Sequence, residues 1–366
     1  MTGTDTGSRL DAVRQVADAV LYEGYLLYPY RATSSKNRMR WQFGVLGPPD
    51  VQRTGGGEEP AMHVQCLLRA DDATTVGVSL RFLQLQIRDV QRGGADGMAS
   101  VERLTVDGRD VYRWDEAVER EIPFGPYRVS DLTGAAVVEP VDVPGGEDVE
   151  PVGADARIVR RRRALAAQVA VRAVAVESGV VRVEIAVANT APDSVQDRDA
   201  ATQLSFLGAH LLLSVTGGEW ISSLDPPPQL ASAVATCTNS RCWPVLAGPE
   251  GSTDVVLGSP IILYDHPAVA EQSAGALFDS TEIDEILTLR VMTMTPQEKA
   301  EARATDPHAA TIIDRCDAMS ANSLQLLHGV LRDPHAASEL PAPGGWKSAA
   351  DDGATWSDGQ DDVRTG

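Results

Sequence analysis

Aromatic residues are scarce in this sequence, at 5% of 366 positions, and cysteine occurs four times, as Cys66, Cys237, Cys242 and Cys316. The first scarcity means that Val, Leu, Ile and Ala, rather than rings, must fill the core. The second excludes a disulfide scaffold, because so few thiols cannot staple a chain of this length. Long apolar runs are missing too. No stretch approaches the roughly 20 apolar residues that span a bilayer, and Met1 to Arg9 lead into no apolar run of the kind a signal peptide carries. A cytoplasmic protein without membrane insertion is the expectation. Walker loops, dinucleotide Gly-x-Gly-x-x-Gly turns, His-Glu-x-x-His zinc motifs and Gly-x-Ser-x-Gly elbows are also missing. Phosphate-cofactor chemistry has no foothold, and no cofactor is expected. Basic residues are outnumbered, 32 against 52 acidic ones, for a formal net charge of −20. That field repels nucleic acid and anionic lipid at long range, which argues against both as partners.

What is present reads as strand. Hydrophobic content of 43% supports a core. Residues 10–20 put Leu10, Val13, Val16, Ala17 and Val20 on one helical face, and the aromatic-rich stretch 21–45 favours extended structure. Residues 61–90 read as strands: Val76, Val78 and Leu80 alternate, then Leu83, Leu85 and Ile87 alternate along a continuation or a partner. Leu104 and Val106, the turn Asp107-Gly108, then Val111 and Tyr112 predict a hairpin. Residues 134–158 lose periodicity and collect Pro, Gly, Asp and Glu, which marks a loop or linker. Beyond it Val169 and Val171, the turn Ser178-Gly179, and Val181, Val183, Ile185 and Val187 predict a second hairpin. A strand through Leu211, Leu213 and Val215 follows, and Val255 to Tyr264 reads as a buried strand broken by Gly258 and Pro260. Thr295-Pro296-Gln297-Glu298 is a capping box with proline at the first helical position. A further helix starts at Asp306-Pro307 with Ile312, Ile313 and Cys316 inward, and another spans about 320–331. The fold class is mainly β (α+β), with antiparallel β-sandwich-like regions, short C-terminal helices and a disordered acidic tail. The divisions are a β-rich region over 10–133, a linker over 134–158, a second β region with helices over 159–337, and a tail over 338–366.

Several groupings could carry chemistry. The densest is Tyr22 to Gly44, where Tyr25, Tyr28, Tyr30 and Trp41 interleave with Arg31, Lys36, Arg38 and Arg40. Rings and guanidiniums in that mixture suit a protein contact, or stacking on bases; packing of an amphipathic hairpin is the simpler account of them. Cys237 and Cys242 form a C-x4-C pair, but zinc sites need a second pair at ligand spacing and none is evident. Asp265-His266 follows an apolar strand, where a hydrolase could carry an acid and a base; neighbours on an extended chain point apart, so a turn is the simpler reading. Phe278 to Ile286 carries Asp279, Glu282, Asp284 and Glu285, either a hard-cation site or the acidic first turn of a helix. Arg160 to Arg163 could dock on an acidic surface or be solvated.

Three stretches, Val20 to Gly44 (VLYEGYLLYPYRATSSKNRMRWQFG), Ser259 to Pro267 (SPIILYDHP) and Phe278 to Arg290 (FDSTEIDEILTLR), resemble a family of proteins encoded beside actinobacterial high-affinity nickel–iron hydrogenase genes. The likeness spans most of residues 10–333. It implies an accessory role, in assembly, maturation or stabilisation, exercised on hydrogenase subunits or maturation factors. On that reading the binding residues are Tyr25, Tyr28, Tyr30, Arg31, Lys36, Arg38, Arg40 and Trp41, joined by Asp265, His266, Glu282 and Glu285. No catalytic residue and no metal ligand is assigned. Two alternatives stay open: an enzyme, hydrolytic in type, centred on Asp265 and His266, and a metal or cluster carrier using Cys237 and Cys242.

Overall fold

Alternating apolar positions fold here as strands whose successive side chains face different layers. The computed structural model describes residues 10–18, 43–49, 58–94, 97–106, 109–191, 195, 197–268, 291–305 and 307–318. The chain divides into Met1–Ser320 and Ala321–Gly366, and every described residue lies in the first part. The strands in chain order are β1 (Ala61–Arg69), β2 (Thr75–Gly94), β3 (Gly97–Val101), β4 (Arg103–Val106), β5 (Arg109–Tyr112), β6 (Trp114–Arg128), β7 (Val137–Val143) and β8 (Gly146–Val152). They continue with β9 (Ala156–Arg162), β10 (Leu165–Glu177), β11 (Val180–Asn189), β12 (Leu207–Thr216), β13 (Glu219–Trp220), β14 (Trp243–Leu246) and β15 (Val255–Ser259).

One sheet runs β13-β1-β11-β10-β7 and the other β14-β15-β12-β2-β9-β8, with β3 and β6 also paired to β2. These strand pairs are antiparallel. The inward residues of both sheets form one cluster: Met62, Val64, Cys66 and Leu68 from β1, Val76, Val78, Leu80 and Phe82 from β2, Val169 and Val171 from β10, Val183, Ile185 and Val187 from β11. Burial of each aliphatic side chain contributes about 1.5–3 kcal/mol. Phe82 meets Phe206 edge to face at 4.7 Å, the arrangement that ring quadrupoles favour.

The two alternations read over 76–87 belong to one strand of 20 residues. Val76, Val78, Leu80 and Phe82 face the opposing sheet. Leu83 and Leu85 face the other way and pack with Ala302, Ile313 and Cys316 of the C-terminal helices. Those helices, Pro296–Thr305 and Pro307–Ala318, begin where the capping box and Asp306-Pro307 predict. Thr295 N–H donates to Glu298 Oε2 at 2.7 Å and Glu298 N–H to Thr295 Oγ1 at 3.2 Å, the reciprocal pair that satisfies orphan donors. On the outer face of β12, β14 and β15, helix 10–18 seats Val13 and Ala17 against Leu212, Val245, Val255 and Leu257.

Two expectations are corrected. Residues 134–158 are no linker: β7 and β8 lie there, and β9 begins at Ala156. Strands from both sides of that segment interleave, β1 pairing with β11 and β2 with β9 and β12, so the two β regions build a single sandwich. The reason is that β7 and β8 are edge strands, and edges tolerate the proline and acid that read as linker. Pro140, Pro151 and Pro244 stand in β7, β8 and β14, the strands that end the two sheet orders apart from the two-residue β13. The strand expected over Val255 to Tyr264 stops at Ser259. Ile262 and Tyr264 face solvent, at 77% and 88% exposure. The helix expected near 320–331 and the tail over 338–366 lie outside the described residues.

Candidate functional site

Pro260 follows the end of β15, and the side chains of the next four residues are divided. Ile261 and Leu263 pack into the cluster beneath helix 10–18, while Ile262 and Tyr264 point away from it. A latch then fixes the chain. Asp265 Oδ1 accepts the Leu246 N–H at 2.8 Å, and Oδ2 accepts the Ser222 hydroxyl at 2.5 Å. Ser222 Oγ in turn accepts N–H bonds from Leu224 at 3.1 Å and Asp225 at 2.8 Å, so Asp265 organises a second turn 43 residues away in the chain. His266 takes a left-handed backbone, φ 53°, and its N–H donates to Leu246 O at 2.7 Å. Its Nδ1 lies 3.3 Å from Gly248 O. Because a carbonyl only accepts, Nδ1 must carry the proton there.

This geometry supports the turn rather than an acid–base pair. In such a pair the carboxylate orients the imidazole. Here both Asp265 oxygens hold other donors, and His266 Nδ1 is held by a carbonyl. The turn presents Leu224, 52% exposed, on the same latch that presents Tyr264.

The cysteines do not form an open ligand set. Cys242 is fully buried in the main core, and burial pushes its thiol up to about 12. Cys66, also in that core, is raised further, first by burial and then by the proximity of Cys237 and Cys242. Cys237 packs in a separate cluster with Leu67, Val180, Ile221 and Leu230, and burial raises its thiol as well. Among the described residues no group of three or more His, Cys, Asp or Glu side chains could hold a metal ion.

The arginine run is answered within the chain. Arg160 meets Glu116 at 3.1 Å and Glu150 at 2.8 Å, Arg161 meets Glu147 at 2.6 Å, and Arg162 meets Asp148 at 2.7 Å. Three of those acids belong to β8, the strand misread as linker. Outside the reach of sequence reading lay Ser222, Arg81 and Glu184. Ser222 is a plain serine until the fold brings Asp265 to it, and no local pattern signals that. Arg81, inside an apolar strand, offered a faint signal: a charge there needs a buried partner.

Tyr25, Tyr28, Tyr30, Arg31, Lys36, Arg38, Arg40 and Trp41 lie outside the described residues, as do Glu282 and Glu285 with the rest of Phe278 to Ile286. Of the residues assigned to binding, the structure therefore places Asp265 and His266. No helix among the described residues is long and apolar enough to cross a membrane. No family model matches this chain, and no curated protein matches it.

Proposed function

We propose that this chain is a non-enzymatic, cytoplasmic accessory protein of a nickel–iron hydrogenase system, acting by protein binding in assembly, maturation or stabilisation. The observation that carries the binding half of this reading is the engagement of Asp265. Its two oxygens hold Leu246 N–H and Ser222 Oγ, and the latch so formed displays Tyr264 and Leu224 to solvent. A rigid support beneath exposed apolar side chains is what an interface needs, since binding then loses little ordering entropy. The hydrogenase half rests on the resemblance of Val20 to Gly44, Ser259 to Pro267 and Phe278 to Arg290. Of the two displayed residues, Tyr264 falls inside the second of these stretches and Leu224 lies outside all three.

Anaerobic affinity purification of the tagged chain from its native host, with mass spectrometry of co-eluting proteins, tests this reading. Hydrogenase subunits or maturation factors should co-elute, and Arg38→Glu with Arg40→Glu should abolish their recovery without lowering the melting temperature. Recovery of the chain free of any hydrogenase protein overturns the assignment.

A further inference from the structure

The two segments around the latch carry a one-sided charge. Residues 219–230 (EWISSLDPPPQL) and 243–268 (WPVLAGPEGSTDVVLGSPIILYDHPA), which supply the Ser222 turn, β14, β15 and the Asp265 turn, contain no lysine or arginine. Asp225 is exposed next to Leu224, and Glu250 is exposed in the turn whose Gly248 carbonyl meets His266. Nearby Glu219 is already matched by Arg69 at 3.2 Å. The patch is also stiff. Pro226, Pro227 and Pro228 follow Asp225, Leu230 N–H closes on Pro227 O at 2.8 Å, and Leu230 is buried. Large apolar side chains standing 77%, 88% and 52% exposed on such a frame lose water when covered without first having to be ordered.

We propose that Ile262, Tyr264 and Leu224 form a preorganised docking surface for a protein whose matching face is an apolar depression rimmed by lysine or arginine. Tyrosine is among the residues that dominate interface energetics, and a rim of opposite charge speeds and orients encounter. The acidic rim selects against the other occupants. A second copy would bring Asp225 and Glu250 against their own likeness within a pair of chains each at −20, and anionic lipid or nucleic acid would meet the same repulsion. This surface rests on the protein-binding reading above, but not on the identity of the partner.

The test uses the full chain in its host, with Ile262→Ser plus Tyr264→Ser, separately with Asp225→Lys, and with a benzophenone-bearing phenylalanine analogue at position 264. Partner recovery should fall by about tenfold or more in the double variant, at unchanged melting temperature. It should also fall in Asp225→Lys, whose exposed position keeps folding out of the comparison, and should decline as salt rises. The cross-linked partner peptide should carry lysine or arginine beside apolar residues. Undiminished recovery in the double variant, or a cross-link to a second copy, to lipid or to nothing, overturns the surface. A cross-link through a basic-rimmed apolar segment of an identified protein outside any hydrogenase system sustains the surface and removes the hydrogenase assignment.

Discussion

Asp18 Oδ1 lies 2.5 Å from Arg81 Nη2, and this pair fastens helix 10–18 to the centre of β2. The Arg81 side chain is 7% exposed, with Nε 3.2 Å from Glu121 Oε2 and Nη1 without a hydrogen-bond partner among the described residues. Removing Asp18 would leave a buried guanidinium with one carboxylate in place of two. Asp18→Asn should therefore cost about 1–3 kcal/mol in denaturant unfolding. Amide exchange should quicken first in residues 10–18, which are also held by Val13 and Ala17. An unchanged midpoint would mean that Glu121 alone satisfies Arg81.

His210 sits directly across the strand pair from Arg81 and is fully buried. Burial first, then the Arg81 charge, pulls its pKa down to about 3. A histidine depressed in this way stays neutral in the folded protein while the unfolded chain takes up a proton. Stability should thus be full above about pH 6.5 and decline as pH falls toward 3, at up to about 1.4 kcal/mol per pH unit. In His210→Leu the decline should begin only in the carboxylate range. An onset near pH 6.5 in both proteins would assign the loss to another group.

Glu184 supplies the carboxylate part of that acid limb. Burial opposes its charge, but hydrogen bonds from Arg172 at 2.5 Å and Arg182 at 3.0 Å outweigh it and hold the carboxyl below its ordinary value. The stability this contributes is present above the ordinary glutamate range and is lost as pH falls through the depressed value. Glu184→Gln should lower stability at neutral pH by about 1–3 kcal/mol and flatten the acid limb. A variant that keeps the full acid slope would move the effect to other carboxylates.

Legibility in the sequence followed the range of the interaction. The hairpin of β10 and β11 was readable because Val169, Val171, Val183, Ile185 and Val187 alternate about a turn at Gly179, whose φ is 74°. The Thr295–Glu298 box was readable because both partners lie within one helical turn. β8 was not, because GEDVEPV has no apolar alternation and is held by pairing with β9 and by the arginines it faces. Residues 261–264 are apolar at every position, so alternation could not tell which pair meets the core. The Ser222–Asp265 bond depends on a sheet that brings distant segments together, and no window of sequence contains it.

Gly258 illustrates a close approach that its neighbours did not announce. A Cβ there would lie 2.9 Å from Cys242 Sγ and 3.3 Å from Leu211 Cβ. Gly258→Ala should destabilise by about 1–3 kcal/mol through overpacking. Cys242→Ala removes the nearer obstacle, so the double variant should be more stable than the sum of the single effects predicts. Strict additivity would mean that Leu211 rather than Cys242 sets the limit.

The same cysteine bears on the metal-carrier reading. Zinc binds thiolate, so a ligand must be deprotonated and reachable. Cys66 and Cys242 are buried with their thiols raised, and Cys237 is half-buried and raised too. In the native protein at pH 8, a thiol reagent should modify Cys237 slowly, with Cys237→Ser abolishing that phase. Cys66 and Cys242 should react only on unfolding. Stoichiometric zinc retained by the folded chain and lost in Cys242→Ser would show instead that the core opens to present these thiols, and would return the carrier reading to the front.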